Sequence, residues 1–339
     1  IYMHSTVFEP SVGGVETVGE LLLRAWIEAG VEVKVSTDTP GPEMLQGDIP
    51  IIRQPCWREV LACTRWADVV FHNHPSTRWA WLPKLFHKPL YATVHTWLPM
   101  YNDTAGAQRK LRSMLQRWLI SSCRLIAVSE AVAKHLPKDR AQVIWNPCRF
   151  SFIPNQNKHT REIDVLFVGR LVSDKGIDIL IEALAQLAAQ QCFVRTKIIG
   201  DGPLKVILEE KIQAAGLTEW VELEQTQSGD ALKSQFTSAR CTVVPSRWEE
   251  PFGLVAIEAL ACGSIPIVAT SGGLPEAVGP HGMVFANGDA GHLAELIRLA
   301  IKGKVEDEYT DQKMISQWLE RHETRKIANR YLDVFRQSL

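Results

Sequence analysis

Two glutamates, Glu250 and Glu258, lie on either side of a predicted helix start. Pro251 and Gly253 interrupt the chain after a short apolar strand, and the apolar run 254–261 predicts a buried helix. The N-terminus of a helix offers free N–H groups and a positive dipole end, which suit a phosphate. Because a helix rises about 1.5 Å per residue, Glu258 lies roughly one ribose beyond a pyrophosphate at that tip. The spacing therefore predicts recognition of a nucleotide-diphosphate sugar.

Two cations, Arg170 and Lys175, flank a second loop, between the predicted strand 163–168 and the predicted helix 176–190. Such a pair neutralises a pyrophosphate leaving group without a metal. The alternative interpretation is that both are ordinary surface bases.

Paired glycines follow the first strand, at Gly13 and Gly14, and precede the predicted helix 15–29. Glycine lets the backbone approach a ligand closely, and the helix tip favours an anion, although tight turns use the same residues. The chain has no G-x-G-x-x-G fingerprint, which counts against a nicotinamide-dependent enzyme.

Together these segments resemble the retaining GT-B glycosyltransferases of glycosyltransferase family 4 (group 1). The resemblance is strong over 163–286 and moderate over 1–146. It implies that Glu258 binds the ribose hydroxyls and Glu250 the donor sugar.

By the same resemblance, Arg170 and Lys175 bind the donor phosphates, and the Gly13–Gly14 loop lies across the diphosphate. The turn from Gly200 to Gly202 lies near the nucleobase, or else is only a structural turn. The donor-binding residues implied are Gly13, Gly14, Gly169, Gly200, Gly202, Pro251, Phe252, Gly253, Leu254 and Glu258.

His95 ends the predicted strand 90–95, where the family has a histidine facing the donor sugar. Thr96 follows in place of the usual aspartate, so no residue at this position can take the role that the aspartate has in the family. A strand-end histidine with a purely structural role is the alternative. The catalytic set implied is Glu250, Arg170, Lys175 and His95.

A metal site is not expected. His72, His74 and His95 could be imagined as metal ligands, but no carboxylate lies nearby in the sequence to complete such a site. The chain also has no D-x-D motif. His74 is instead a candidate acceptor contact. The seven cysteines include no C-x-x-C pair, which indicates reduced thiols in a cytoplasmic protein.

Strands and helices alternate along most of the 339 residues, which predicts parallel α/β sheets and two domains. The chain opens on a strand, and the further strand predictions are 31–36, 49–53, 68–72, 90–95, 125–128, 142–145, 163–168, 194–199, 220–223, 241–244, 265–269 and 282–285. The helix predictions are 15–29, 176–190, 204–215, 254–261 and 292–302, with an amphipathic helical pattern over 314–337.

The fold class expected is therefore α/β of GT-B type, with two doubly wound Rossmann-like domains facing a central cleft. The domains expected are an acceptor-binding domain over 1–150, a linker over 151–162 and a nucleotide-sugar-binding domain over 163–312. By resemblance, a C-terminal helix over 313–339 crosses back onto the first domain.

The segment 108–119 carries four bases, no acid and one apolar stripe. It predicts a core-packed helix with a solvated basic face or, alternatively, peripheral docking to the inner face of a membrane or to a lipid-diphosphate acceptor. No apolar run reaches the length of a membrane-spanning helix, and no signal-peptide pattern is present.

The function predicted is metal-independent, retaining transfer of a hexose from a UDP- or GDP-sugar to a hydroxyl of a glycan or lipid-linked acceptor. The nucleotide sugar is a substrate, so no cofactor is expected, and neither is a nucleic-acid partner. The alternatives are a UDP-sugar epimerase of the same architecture and a non-catalytic subunit of polysaccharide assembly.

Overall fold

A computed structural model of the chain describes residues 1–98, 118, 121, 123–139, 141–153, 161–303, 305 and 309–338. It divides into two compact units, one formed by 1–149 with 322–339 and the other by 150–321. Within these residues, no helix combines the length and apolarity that crossing a membrane requires. The basic segment 108–119 lies outside the described residues apart from Trp118, and so does most of the predicted linker.

In the described residues, fourteen strands form two sheets. Their bounds are β1 (Tyr2–Ser5), β2 (Lys34–Thr37), β3 (Met44–Leu45), β4 (Ile49–Arg53), β5 (Val70–His72), β6 (Leu90–Val94), β7 (Cys123–Ala127), β8 (Ala141–Val143), β9 (Ile163–Val168), β10 (Thr196–Ile199), β11 (Val221–Glu224), β12 (Ala239–Val244), β13 (Ile265–Ala269) and β14 (Met283–Phe285). Every strand expected from the sequence is present, with ends shifted by at most three residues, and only the short β3 was not predicted.

Helices separate most of the strands. Their bounds are α1 (Gly14–Glu28), α2 (Trp57–Trp66), α3 (Trp81–Leu85), α4 (Glu130–Ala133), α5 (Ile177–Ala189), α6 (Lys205–Ala214), α7 (Gly229–Ser238), α8 (Leu254–Ala261), α9 (Leu274–Val278), α10 (Ala290–Ile301), α11 (Gln312–Leu319) and α12 (Thr324–Arg336). Short 3₁₀ turns occur at Ser173–Lys175, Gly279–His281 and Glu320–His322.

The first unit holds an eight-stranded sheet of order β3-β4-β2-β1-β5-β6-β7-β8, parallel except for the antiparallel pair β3–β4. Strand order reverses between β1 and β5, which are hydrogen-bonded neighbours. In such a sheet, ligands bind outside the carboxyl ends of the strands at the reversal point.

The core of the first unit is aromatic. Trp26 of α1 lies edge-on to Phe71 of β5, with ring centroids 5.4 Å apart, and donates through Nε1 to the carbonyl of Ala328 in α12 at 3.1 Å. Tyr91 and Tyr331 extend this cluster, and the Tyr331 hydroxyl lies 3.0 Å from Thr93 Oγ1. These contacts tie α12 to the sheet of the first unit.

The second unit holds a six-stranded parallel sheet of order β11-β10-β9-β12-β13-β14. This is the order 3-2-1-4-5-6 of a Rossmann fold, with its reversal between β9 and β12. Helix α5 packs a row of buried residues, among them Leu180, Leu184 and Leu187, into the core with Phe167 of β9. The doubly wound parallel architecture expected from the sequence is thus present in both units.

The C-terminal helical pattern over 314–337 forms two helices, α11 and α12. Helix α11 belongs to the second unit, and the chain returns to the first unit at residue 322 rather than at 313. The break has a physical cause in His322. Its carbonyl accepts from the backbone N–H of Cys148 at 2.8 Å, and its ring stacks on Trp145 with centroids 5.1 Å apart. These long-range contacts draw His322 out of a continuous helix.

Candidate functional site

The loops that follow β9 and β12 meet where the strand order of the second sheet reverses. Gly176, at φ +62°, is packed so closely that an added Cβ would lie 1.9 Å from the carbonyl oxygen of Pro245. The backbone N–H groups of Arg247 and Trp248 both donate to the carbonyl of Asp174, at 2.9 and 3.1 Å. The two loops therefore form one joined surface at the carboxyl ends of β9 and β12.

Glu250 lies at the centre of this surface. Its Oε1 accepts from Lys175 Nζ at 2.5 Å and from Ser246 Oγ at 2.7 Å. Its backbone carbonyl accepts from the N–H of Gly273 at 2.6 Å. Two donors therefore hold one carboxylate oxygen, a third holds the backbone, and the side chain is 13% exposed.

The two cations expected at the phosphates differ in their present contacts. Lys175 is half-buried in its ion pair with Glu250. The Arg170 side chain is exposed and makes no hydrogen bond or ion pair with any residue that the structure describes. The charge of Lys175 is paired with Glu250, whereas the guanidinium of Arg170 has no such partner. Arg170 is therefore the positive group of this surface that is available to bind an anion.

The N-terminus of α8 adjoins the same surface. Gly253 precedes the helix at φ 116°, and its carbonyl accepts from the N–H groups of Ala256 and Ile257. Leu254 and Val255 are partly exposed, and their N–H groups have no acceptor among the described residues. This tip presents the free donors that suit a phosphate.

Phe252 and Glu258 are buried, at 2% exposure each. Phe252 therefore offers little surface to a ligand. Glu258 lies on the first turns of α8, and its burial means that ribose hydroxyls would reach it only by entering the space beside the helix. Its ribose role stays a prediction.

The turn at Gly200 and Gly202 has a structural reason for its glycines. An added Cβ would lie 1.9 Å from the Gly169 carbonyl oxygen at position 200, and 2.4 Å from the Leu171 carbonyl oxygen at position 202. The N–H of Leu171 also donates to the carbonyl of Asp201 at 2.9 Å. This turn therefore braces the loop that carries Arg170.

In the first sheet, Gly13 precedes α1 with an extended backbone that any residue adopts. An added Cβ there would approach only the mobile end of the Glu16 side chain, at 2.6 Å. The exposed loop from Glu9 to Val12 leads into this helix start. Local packing therefore does not explain the glycine, which leaves the close approach of a ligand as its predicted reason.

His95 lies at the end of β6, buried at 8% exposure, within a network centred on Asn73. The Asn73 amide nitrogen donates to the Val15 carbonyl at 2.8 Å and lies 3.1 Å from Ser5 Oγ. Its Oδ1 therefore faces His95 Nε2, 3.1 Å away, and that nitrogen carries the proton. In the neutral ring, Nδ1 is then an acceptor, suited to a hydroxyl.

Four histidines gather at this end of the first sheet, three of them buried and His74 partly exposed. Burial lowers the pKa of His95 to about 3, with a smaller contribution from His74. Burial also lowers the pKa of His4 and of His74 to about 4, and that of His72 well below its usual value. All four are neutral at pH 7. Over the described residues, no group of His, Cys, Asp and Glu side chains has the arrangement to hold a metal ion.

The structure thus brings Lys175, Glu250 and the α8 tip together in the second unit, with Arg170 on the adjoining loop, and places His95 in the first unit. Sequence reasoning did not single out Ser246 and Asn73, which hold Glu250 and His95. Their positions just after β12 and β5 are the signal that could have found them.

Two family models match the chain. The model described as glycosyl transferases group 1 matches residues 149–317, and the model described as glycosyltransferase family 4 matches residues 12–152. Among solved structures, HepE of Anabaena, crystallised with UDP, superposes with a TM-score of 0.79 at 21% identity, covering 99% of each chain. This similarity shows that the fold is GT-B.

Curated relatives share more sequence over shorter stretches. The D-inositol 3-phosphate glycosyltransferase of Mycolicibacterium smegmatis is 30% identical over 256 residues, 68% of this chain and 58% of the relative. The gpi3 subunit of the phosphatidylinositol N-acetylglucosaminyltransferase of Schizosaccharomyces pombe is 29% identical over 196 residues, 53% of this chain and 43% of the relative. The chain spans about half the length of the curated relatives that it matches.

Proposed function

Since the chain belongs to the group 1 glycosyltransferases of family 4, we propose that it transfers a hexose from a nucleotide-diphosphate sugar to a hydroxyl, with retention and without a metal. The donor is a UDP- or GDP-sugar, and the acceptor is a glycan or a lipid-linked sugar. The observation that carries the proposal is the convergence of Lys175, Glu250 and the α8 tip beside Arg170, at the strand reversal of a Rossmann sheet.

The diphosphate would bind to Arg170, Lys175 and the free N–H groups at the start of α8. These groups stabilise the negative charge that develops as the sugar–phosphate bond breaks. Two cations and a helix tip can supply this stabilisation, which supports a metal-independent reaction.

The acceptor hydroxyl would attack from the face that the diphosphate leaves, and the leaving phosphate oxygen would take the hydroxyl proton. Front-face substitution of this kind retains the anomeric configuration. It requires no side-chain nucleophile, and Glu250, held by Lys175 and Ser246, acts as a ligand of a sugar hydroxyl.

His95 would contact the donor sugar as a neutral imidazole. With the proton on Nε2, its Nδ1 can accept a hydrogen bond from a sugar hydroxyl. Its pKa of about 3 makes it unsuited to serve as a general acid near neutral pH.

A thermal-shift screen with UDP, GDP, ADP and their sugars tests the donor half of the proposal. One base should raise the unfolding midpoint by several degrees, and Arg170→Met should make that shift smaller. Binding to none of these nucleotides would contradict the donor assignment.

Product analysis tests the reaction itself. With donor alone, an epimerase would convert the sugar, whereas a transferase leaves the sugar configuration unchanged until an acceptor is added. With acceptor present, the anomeric configuration of the product, read by proton NMR, should match that of the donor. Turnover that persists unchanged in excess EDTA supports metal independence, and loss of turnover contradicts it.

A further inference from the structure

A cavity of about 370 Å³ opens at the amino ends of the strands of the second sheet. Its lining includes Arg161, just before β9, Arg240 at the start of β12, and Ile265 at the start of β13. The predicted donor-binding loops follow the carboxyl ends of the same strands. A six-residue strand spans roughly 17–20 Å, so the cavity is separate from the donor site.

Arg161 is the unusual residue of this cavity. It is a buried cation, 7% exposed, and its guanidinium donates through Nη1 to the backbone carbonyl of Ala239. It forms no ion pair with any residue in the described part of the chain. Burial lowers its pKa to about 10, and the nearby charge of Arg240 also lowers it. A buried cation without a counterion is costly unless an anion accompanies it.

Among the described residues, the surrounding charges do not supply that anion. Asp164 Oδ1 lies 3.1 Å from Arg240 Nε, while its Oδ2 accepts from the backbone N–H of Arg195 and lies 3.4 Å from Arg195 Nε. One carboxylate therefore serves Arg240 and Arg195, and Arg161 is left over. Lys302 adds a further positive charge to the rim.

Part of the cavity wall is apolar. It is formed by Phe152, Ile265, Ile301, Val305 and Ile315. A cavity of this size, with one apolar wall and a few converging polar groups, matches the general character of a small-molecule site.

We infer that this cavity binds a small organic oxyanion, a phosphate monoester or a carboxylate, with its charged group on Arg161 and Arg240 and its apolar body against Phe152 and Ile315. Planar guanidinium groups match both headgroups through paired hydrogen bonds. The site does not depend on the glycosyl-transfer proposal, because it shares no residue with the donor-binding surface.

Isothermal titration with phenyl phosphate, benzoate and inorganic phosphate tests the inference. The full chain carrying Arg170→Met and Lys175→Met removes the cations of the donor site from the measurement. Phenyl phosphate or benzoate should bind one site more tightly than inorganic phosphate, because only they contact the apolar wall. The headgroup that binds more tightly identifies the ligand class.

In the same background, Arg161→Met and, separately, Arg240→Gln should each weaken binding about tenfold or more, the loss expected for a charged hydrogen bond. Arg195→Gln is the matched control, since Arg195 shares Asp164 but does not line the cavity, and binding should stay within about twofold. Arg240→Gln keeps the test valid if Arg161→Met fails to fold.

Three results would overturn the inference. One is the absence of binding by all three probes, and another is equal binding by the Arg240→Gln and Arg195→Gln variants. The third concerns the acidic run 306–308, which lies outside the described residues. Binding that appears only after Glu306→Gln, Asp307→Asn and Glu308→Gln are combined would identify an internal carboxylate as the occupant.

Discussion

The two sheets reverse their strand order in the same way but place opposite chemistry at the reversal. In the first sheet, the carboxyl ends of β1, β5 and β6 carry buried, neutral histidines, and Asn73 holds one of them, His95. In the second, the loops after β9 and β12 carry Arg170 and the ion pair of Lys175 with Glu250. Topology therefore sets where a ligand can bind, and the side chains set which ligand it is.

The difference follows from electrostatics. A diphosphate needs cations and N–H donors that are already in place, which the second sheet provides. Buried neutral imidazoles cannot neutralise a diphosphate, but they can exchange hydrogen bonds with sugar hydroxyls. The five tests below ask whether the second sheet binds the diphosphate and the first sheet contacts the sugar.

The largest effect should come from Glu250→Ala. It removes the proposed sugar ligand and also releases Lys175 from its 2.5 Å contact, so kcat should fall about 100- to 1,000-fold. The adjacent exposed Glu249→Ala is the control and should change kcat by less than about threefold. Steady-state transfer assays measure both, with the unfolding midpoint confirming the fold. Near-normal turnover of Glu250→Ala would end the assignment.

Arg170→Met should weaken UDP or GDP binding about 10- to 100-fold, as the loss of a charged phosphate contact does. Arg247→Gln is the matched control, because that guanidinium lies in the same region but pairs with Asp178 at 2.7 Å. It should change the nucleotide Kd by less than about threefold.

His95→Asn sharpens the same comparison from the first sheet. It should lower kcat while leaving the nucleotide Kd within about twofold, because His95 is proposed to contact the sugar only. If His95→Asn and Arg170→Met change the nucleotide Kd equally, His95 does not contact the sugar alone, and the proposed separation of sugar and diphosphate contacts is wrong.

Gly176→Ala tests how the charged end is built. Its Cβ would lie 1.9 Å from the Pro245 carbonyl oxygen at a φ of +62°. Gly216→Ala is matched in φ, at +67°, but has open space around the added Cβ. Both substitutions carry the backbone cost of roughly 1–2 kcal/mol. In urea unfolding, Gly176→Ala should lower the free energy of unfolding by about 1–3 kcal/mol more than Gly216→Ala does. Equal losses would show that the contact between the two loops is not tight.

The sequence predicted the parallel α/β architecture and most strand bounds, because apolar runs separated by turn residues are a local signal. It also predicted that Arg170 and Glu250 each lie in a loop that follows a strand. It could not show that Lys175 pairs with Glu250, since this depends on the close approach of Gly176 to Pro245, far away in the chain. The break at His322 was missed for the same reason, because Cys148 and Trp145 cause it.

The smallest effect should be a pH dependence confined to the neutral end. His74 has its pKa lowered to about 4 by burial, whereas an unfolded histidine titrates near pH 6.5. Between these values the unfolded state binds the extra proton, so this contribution to stability is complete above about pH 6.5 and is lost as pH falls towards 4. Each buried histidine adds up to about 1.4 kcal/mol per pH unit to the slope. Urea unfolding of His74→Gln between pH 7 and 5 should show a smaller slope than the parent chain. The exposed His87→Asn should leave the slope unchanged, and equal slopes for all three proteins would mean that His74 is not held neutral by burial.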